Sequence, residues 1–140
     1  MIGTLIAKSK IRTGFSNLNN HDIDKFLTDW AEEAIFVYPG NISMSGEHRG
    51  KKAIGDWFKT FMVQFPNIKF TIKHVCVQSI FDLTGTNNIA VEWDVNLTNK
   101  DGKEIQNSGV TTLELRMGKV ILVRDYIFYL ERVKEAWGEE

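Results

Sequence analysis

One acidic residue near the end of the sequence stands where a carboxyl group could do acid–base chemistry. In a strand with a period of two, Asp125 shares its face with three aliphatic residues: Ile121, Val123 and Ile127. A carboxyl group on an aliphatic face is poorly solvated, which raises its pKa toward the range useful for general acid–base catalysis. The alternative is a structural ion pair with an arginine such as Arg116 or Arg49, and both interpretations stay open.

A histidine is the second candidate for proton transfer. In the first long strand, His74 shares its side with four apolar residues: Phe70, Ile72, Cys76 and Ile80. An imidazole that faces a cavity can relay protons near neutral pH, so we consider His74 a possible relay for Asp125. A lone histidine on an apolar face is more often a core or rim residue, and this alternative also stays open.

Several aromatic residues with a polar tip could line a binding cavity. Such rings pack against flat ligands and orient them through a hydrogen bond, although each could equally be plain core. A tyrosine hydroxyl could donate such a bond, but it is a poor base at neutral pH because its ordinary pKa is near 10. The candidates are Tyr38, Trp57, Trp93 and Tyr126.

The composition argues against several kinds of site and partner. A net charge of -1, from 17 basic and 18 acidic residues, argues against a nucleic-acid partner. The single cysteine excludes an internal disulfide, and the three histidines lack metal-ligand spacing, so we expect no metal. There is no glycine-rich phosphate loop, and we predict no cofactor. No apolar run reaches the roughly 18 residues that cross a bilayer, so we predict a cytoplasmic protein.

The first half of the sequence has a helical period. One apolar stripe comprises Ile11, Phe15 and Leu18, and a second runs from Ile23 to Ala34, followed by a short β-like run to Tyr38. A third helix begins near Gly50 and ends before Pro66. We therefore expect three helices before the chain turns to strands.

After Pro66 the period changes to two, and it predicts four long strands. Their ranges are 68–81, 87–98, 104–117 and 119–131, with Asp101-Gly102 predicted as a type I′ turn. Close connections make these strands antiparallel neighbours, with Glu92 and Asp94 facing outward. The sequence predicts one α+β domain over residues 1–140, with a loosely held tail from Arg132.

Three segments resemble the nuclear-transport-factor-2-like superfamily, in particular its SnoaL-like polyketide cyclase branch. His21–Pro39 resembles G-D-x-D…a-D-D-A-x-x-x-x-P, Gly46–Ile54 resembles G-x-x-x-G-x-x-A-I, and Gly118–Tyr126 resembles G-K-I-x-x-x-R-D-Y. The resemblance implies three N-terminal helices packed on a curved, mainly antiparallel sheet, which together form a cone. It also implies an apolar cavity, a homodimer, and an aspartate on the sheet as the acid–base group, the role of Asp125 here.

The sequence departs from the related ketosteroid isomerases at all three of their catalytic positions. Tyr38 stands where those enzymes have the basic aspartate, Gly14 where they have the oxyanion tyrosine, and Thr111 where they have a second acid. The departures argue against ketosteroid isomerase activity. They leave Thr111 as a predicted ligand-binding residue.

Two hypotheses about function follow. In the first, the chain is a cofactor-independent isomerase, cyclase or lyase that acts on a small apolar ligand through Asp125 and His74. In the second, it is a non-catalytic ligand-binding or dimerisation module of the same fold. In either case we expect a homodimer through the outer face of the long strands, where Phe128 and Tyr129 lie.

Overall fold

Four helices and six strands make up the fold. A computed structural model describes residues 1–139, and none of the helices there is long and apolar enough to span a membrane. The helices are α1 (Ile2–Asn19), α2 (Ile23–Leu27), α3 (Lys51–Gln64) and α4 (Leu130–Trp137). The strands are β1 (Trp30–Tyr38), β2 (Gly46–Arg49), β3 (Asn67–Val77), β4 (Asn87–Thr98), β5 (Glu104–Arg116) and β6 (Lys119–Ile127).

All six strands form one sheet in the order β2-β1-β6-β5-β4-β3. Its neighbouring strands are antiparallel except β1 and β6, which run parallel. The register aligns Val91 with Thr111 and Thr111 with Asp125, so these three residues form one row across the sheet. The predicted α+β fold, with helices on a curved and mainly antiparallel sheet, is confirmed.

The inner face of the sheet packs against the helices. On β4 the residues at alternate positions from Ile89 to Val95 are buried, as the period of two predicts. Rings from β1 and α3 fill much of the interior; the Phe36 and Trp57 centroids, for example, lie 4.8 Å apart. The core therefore lies between the sheet and α1 and α3, and this space also holds the candidate site.

The second predicted helix is wrong beyond Leu27. Helix α2 begins after Asp22, whose side chain accepts a hydrogen bond from the Lys25 amide at 3.2 Å, and it ends after five residues. Strand β1 begins at Trp30, which pairs with Val120 of β6. An irregular register before Ile35 buries residues at uneven intervals along β1, and those intervals imitate a helical stripe.

The C-terminal segment is helical and firmly packed, so the predicted strand to residue 131 and the loosely held tail are both wrong. Strand β6 ends at Ile127, and α4 buries Val133 and Ala136. The carbonyl oxygen of Ala136 accepts hydrogen bonds from Gln64 Nε2 at 2.9 Å and Asn99 Nδ2 at 3.2 Å. These two bonds satisfy a carbonyl that the helix end leaves without an intrahelical partner.

The turn predicted at Asp101-Gly102 does join β4 to β5, but the type I′ geometry occurs at the next turn, between β5 and β6. Met117 and Gly118 both have positive φ angles, 50° and 80°, as a type I′ turn between β5 and β6 requires. At the β4–β5 turn only Gly102 has a positive φ, 84°, while Asp101 does not. That turn is closed instead by a hydrogen bond from the Gly102 amide to the Asn99 carbonyl at 2.9 Å.

Candidate functional site

A cavity lies between the inner face of the sheet and the helices. Its volume is about 140 Å³, close to that of an engineered protein cavity that takes up benzene. Most of its wall is aromatic or aliphatic, with Trp57 and Phe61 of α3 stacked at a centroid distance of 5.4 Å. A cavity of this size and lining suits a small, mostly apolar molecule.

Asp125 is the carboxylate that faces this cavity from the sheet. It lies on β6 among apolar neighbours, with part of its surface open to the cavity. Burial raises the pKa of Asp125 to about 6, although a hydrogen bond from Thr111 acts in the opposite direction. The alternative interpretation, an ion pair with Arg116 or Arg49, is not what the structure shows: Arg116 contacts Glu114 and Arg49 contacts Glu47.

A chain of hydrogen bonds fixes one oxygen of Asp125. The indole nitrogen of Trp93 donates to Thr111 Oγ1 at 2.9 Å, and the Thr111 hydroxyl donates to Asp125 Oδ1 at 2.5 Å. Because an indole N–H can only donate, it leaves the hydroxyl proton of Thr111 for the carboxylate. Among residues 1–139, Asp125 Oδ2 has no hydrogen-bond partner, so this oxygen is free to exchange a proton with a ligand.

Gly109 makes room for this chain of hydrogen bonds. It pairs with Trp93 across β4 and β5, and an added Cβ there would lie 2.8 Å from the indole ring. The same Cβ would lie 2.4 Å from the Tyr126 carbonyl oxygen on β6. A side chain at position 109 would therefore displace both Trp93 and the strand that carries Asp125. The sequence analysis did not identify this glycine, because its role comes from contacts across three strands.

Tyr38 lines the cavity from β1, as predicted from the sequence. The indole nitrogen of Trp137 donates to the Tyr38 hydroxyl oxygen at 3.1 Å. Burial raises the pKa of Tyr38 well above its usual range; the Trp137 bond opposes this rise and the charge of Asp125 adds to it. The phenol therefore stays protonated. Trp137 was not identified as a site residue, because the sequence places it in a polar tail.

Of the other predicted ligand-binding residues, Trp57, Trp93 and Thr111 line the cavity and Tyr126 does not. The Trp57 indole nitrogen donates to the Met44 carbonyl at 2.9 Å, which fixes its ring in the wall. Tyr126 is 51% exposed, because it follows Asp125 directly and strand neighbours face opposite sides of a sheet. The expectation that Tyr126 lines the cavity is therefore wrong.

His74 lies on the outer face of the sheet, away from Asp125. The register shifts between Ile72 and His74, where β3 carries an irregularity of the β-bulge kind. Phe70 and Ile72 keep their inward direction before this shift, but His74 and Cys76 are exposed after it. The expectation that His74 and Asp125 face one cavity is wrong, because an extra residue in a strand reverses every side chain beyond it.

A similar shift alters the neighbours of Asp125 on β6. The pairing with β5 is irregular at Glu114 and Leu115, and it is Val120 rather than Ile121 that lines the cavity. Val123 and Ile127 line it as expected. The positions two residues before and after Asp125 therefore still place it on an aliphatic surface.

Two charged residues at the α1 and α2 side of the cavity are paired with each other. Lys10 forms an ion pair with Asp29 at 2.9 Å and donates to the Gly118 carbonyl at 3.1 Å. Within residues 1–139 no three histidine, cysteine or acidic side chains come together as a metal site would require. The chemistry of the described site therefore centres on Asp125, Thr111 and Tyr38.

The family follows from a match that covers most of the chain. The sequence profile of the SnoaL-like domain matches residues 11–123, a stretch from the middle of α1 to Val123 of β6. The chain belongs to the SnoaL-like family. The matched stretch contains Thr111 and most of the cavity lining, and it ends two residues before Asp125. No curated protein sequence matches significantly.

Solved structures confirm the nuclear-transport-factor-2-like fold of this SnoaL-like chain. Bal32a, from a soil-derived mobile gene cassette, is 20% identical with a TM-score of 0.82, covering 96% of this chain and 98% of its own. TerC co-crystallized with polyporic acid is 14% identical with a TM-score of 0.79, covering 96% and 99%. RV0760c from Mycobacterium tuberculosis, in complex with estradiol-17β-hemisuccinate, is 20% identical with a TM-score of 0.75, covering 90% and 95%.

Proposed function

We propose that this SnoaL-like protein binds a small, mostly apolar molecule in its cavity and moves a proton on it with Asp125. The observation that carries the proposal is the free Oδ2 oxygen of a carboxyl group whose pKa is raised to about 6 by burial in the cavity wall. Near neutral pH both protonation states of a group with such a pKa are populated, so the group can accept a proton and return it.

The neighbours of Asp125 suit this role without a cofactor. The Thr111 hydroxyl holds Oδ1 and keeps the carboxylate in one orientation, which leaves Oδ2 for the ligand. Trp57 and Trp93 provide flat apolar walls, and Tyr38 offers a hydroxyl group. His74 has no part in the proposal. Asp125 alone would take the proton and give it back at another atom, as an isomerase, cyclase or lyase requires.

The second candidate is a binding module without catalysis. It is favoured by the placement of His74 on the outer face, because that removes the predicted partner for proton relay. Two structural neighbours were crystallised with small molecules, polyporic acid and estradiol-17β-hemisuccinate, and these complexes support ligand binding in this fold. Both candidates therefore share the cavity, and they differ in whether Asp125 exchanges protons with the ligand.

A single-base probe reaction distinguishes the two candidates. With 5-nitrobenzisoxazole, a base removes the proton on C3. The electrons of that C–H bond convert the ring C=N bond to a nitrile, and the N–O bond breaks to give a coloured phenolate. We expect the wild-type rate to rise with pH through a midpoint near 6, where Asp125 becomes ionised. We expect Asp125→Asn to lower this rate by about 100-fold, the low end for loss of a positioned base.

The matched control is Asp94→Asn on the outer face. Asp94 accepts a hydrogen bond from Ser108 at 2.7 Å and does not line the cavity, so its loss should leave the probe rate unchanged. Equal rates for wild type and Asp125→Asn would contradict proton transfer by Asp125. If the probe still binds in that case, the result would support the binding module.

The predicted homodimer and cytoplasmic location also remain proposals. The side chains of Tyr126, Phe128 and Tyr129 are 51%, 55% and 44% exposed, and such an aromatic surface on β6 and just beyond it supports an interface between two copies. Light scattering at micromolar protein concentration measures the dimer directly, and a monomeric mass would contradict it.

A further inference from the structure

The C-terminal helix contributes a polar group to the cavity that the sequence analysis did not foresee. Trp137, the last residue of α4, donates its indole N–H to the hydroxyl oxygen of Tyr38 at 3.1 Å. An indole N–H has no capacity to accept, so Tyr38 acts as the acceptor in this bond. The hydroxyl proton of Tyr38 is therefore left for another acceptor.

No residue among 1–139 takes that proton. Tyr38 is 8% exposed and is one of the residues that line the cavity. Within residues 1–139, the bond from Trp137 is the one hydrogen bond that the Tyr38 hydroxyl makes. A buried hydroxyl donor without an acceptor is unfavourable, and an acceptor atom on a bound molecule would satisfy it.

The position of Trp137 is fixed from several sides. Its ring lies 5.2 Å from Phe65 in an edge-to-face arrangement and 5.8 Å from Trp57. The preceding carbonyl, that of Ala136, is held by the buried amides of Gln64 and Asn99. Because α4 is anchored in this way, the indole N–H approaches Tyr38 from a constant direction.

The surroundings restrict which acceptor fits. The same cavity holds the carboxyl group of Asp125, whose charge acts on Tyr38, so an anionic oxygen on the ligand would be repelled once Asp125 ionises. The rest of the wall is mostly apolar, and the volume of about 140 Å³ suits a molecule with a single ring. A neutral carbonyl oxygen on a small flat body meets all of these conditions.

We propose that Trp137 is a positioning residue that turns the Tyr38 hydroxyl toward the cavity, where it donates a hydrogen bond to the carbonyl oxygen of a small neutral ligand. The inference rests on the same cavity as the proposed function, but it does not require Asp125 to move a proton. It assigns the two ends of the ligand: an oxygen at Tyr38 and an exchangeable proton near Asp125.

Two probes of nearly equal shape test this assignment. Acetophenone has a carbonyl oxygen where cumene has a methyl group, so the ratio of their dissociation constants measures the hydrogen bond to the carbonyl. We expect the preference for acetophenone over cumene to fall about tenfold in Tyr38→Phe, the effect of one hydrogen bond. Calorimetry or ligand-observed NMR gives both constants.

Trp137→Phe tests positioning, because it keeps an aromatic ring and removes only the donor. We expect the preference for acetophenone to fall in Trp137→Phe as well, but not to fall further when the change is made in Tyr38→Phe. If the role of Trp137 were purely structural, Trp137→Phe would weaken the binding of acetophenone and cumene equally and leave the ratio of their dissociation constants unchanged. The control is Lys103→Ala, which removes an ion pair with Glu135 of α4 and should not alter the ratio.

A wild-type measurement covers the case in which the variants do not fold. The indole proton resonance of Trp137 should shift more with acetophenone than with cumene, since the Tyr38 hydroxyl links it to the carbonyl. An unchanged probe ratio in Tyr38→Phe, equal shifts with both probes, or no binding of acetophenone would each overturn the inference. A loss of the benzisoxazole reaction in Asp125→Asn with an unchanged probe ratio in Tyr38→Phe would overturn this inference and leave the proposed function standing.

Discussion

Asp125 in the cavity wall and Asp82 in the β3–β4 loop have pKa values shifted in opposite directions. The surroundings of Asp82 also desolvate it to some extent, but hydrogen bonds from Thr84, Thr86 and Gly85 outweigh this and lower its pKa. Asp125 accepts one hydrogen bond, from Thr111, and burial outweighs it, so its pKa rises to about 6. The two carboxyl groups therefore differ in the number of hydrogen-bond donors that contact them and in their exposure to water.

The comparison shows the difference between a carboxylate that stabilises a loop, Asp82, and one that can exchange a proton with a ligand, Asp125. The loop folds around Asp82: its Oδ2 accepts from the amides of Gly85 at 2.8 Å and Thr86 at 2.9 Å, and its Oδ1 accepts from the Thr84 hydroxyl at 2.8 Å. These bonds stabilise the charge and commit both oxygens. At Asp125 the sheet commits one oxygen and surrounds the other with apolar side chains, so the group can exchange a proton at ordinary pH.

The largest effect is expected from Asp125→Asn on stability. The folded-state pKa of about 6 lies above the ordinary value of 3.8, so the folded protein holds this proton more tightly than the unfolded chain. Stability should therefore fall as pH rises through this interval and remain lower above it. Asp125→Asn should therefore raise the free energy of unfolding by up to about 3 kcal/mol at pH 7, but by only about 0.5 kcal/mol at pH 4.

Urea denaturation of both proteins at the two pH values measures this difference. In the Asp125→Asn variant, Thr111 can still donate to the side-chain amide oxygen at this position, so the change isolates the charge. If Asp125→Asn were less stable than wild type at pH 7, the contrast drawn between Asp125 and Asp82 would be wrong, because the charge of Asp125 would then stabilise the fold.

A smaller effect is expected from Thr111→Val, which keeps the shape and removes the hydroxyl group. Asp125 then loses its hydrogen bond from the sheet, and its pKa should rise further, by about one unit for a bond to a charged group. The midpoint of the benzisoxazole rate against pH should move upward by the same amount. Thr111→Ser keeps the hydroxyl and should retain the wild-type midpoint; a downward shift in Thr111→Val would contradict the role given to this bond.

The smallest effect, and one of opposite sign, is expected at Asp82. Its folded-state pKa is lowered, so its contribution to stability is present above the ordinary pKa and is lost as pH falls through the lower folded value. Asp82→Asn should therefore destabilise the protein at pH 7, with the deficit shrinking in acid. Thermal unfolding at neutral and acidic pH measures this, and a gain in stability at pH 7 would remove the contrast with Asp125.

The sequence contains most of the information on the sheet and on Asp125. The period of two from Ile89 to Val95 predicts the buried side of β4, and the aliphatic neighbours Val123 and Ile127 predict a poorly solvated carboxyl group. These features are local, because a strand's own alternation determines which side chains share a face.

The errors arise where distant parts of the chain decide the outcome. The bulge before His74 depends on how β3 pairs with β4, and it reverses a face that alternation alone assigns inward. Trp30 belongs to a strand because β6 lies beside it, although its spacing from Phe26 and Leu27 fits a helix. Trp137 enters the site only because Gln64 and Asn99 anchor α4.

The central claim is that the sheet and cavity hold Asp125 as a carboxyl group that titrates near neutral pH. The most direct measurement is the side-chain carboxyl carbon shift of Asp125 followed by NMR from pH 3 to pH 8, with Asp125→Asn to assign the signal. The structure predicts a midpoint near 6. A midpoint at or below the ordinary 3.8 would contradict the account, because the charge of Asp125 would then be stabilised by its surroundings, as the charge of Asp82 is.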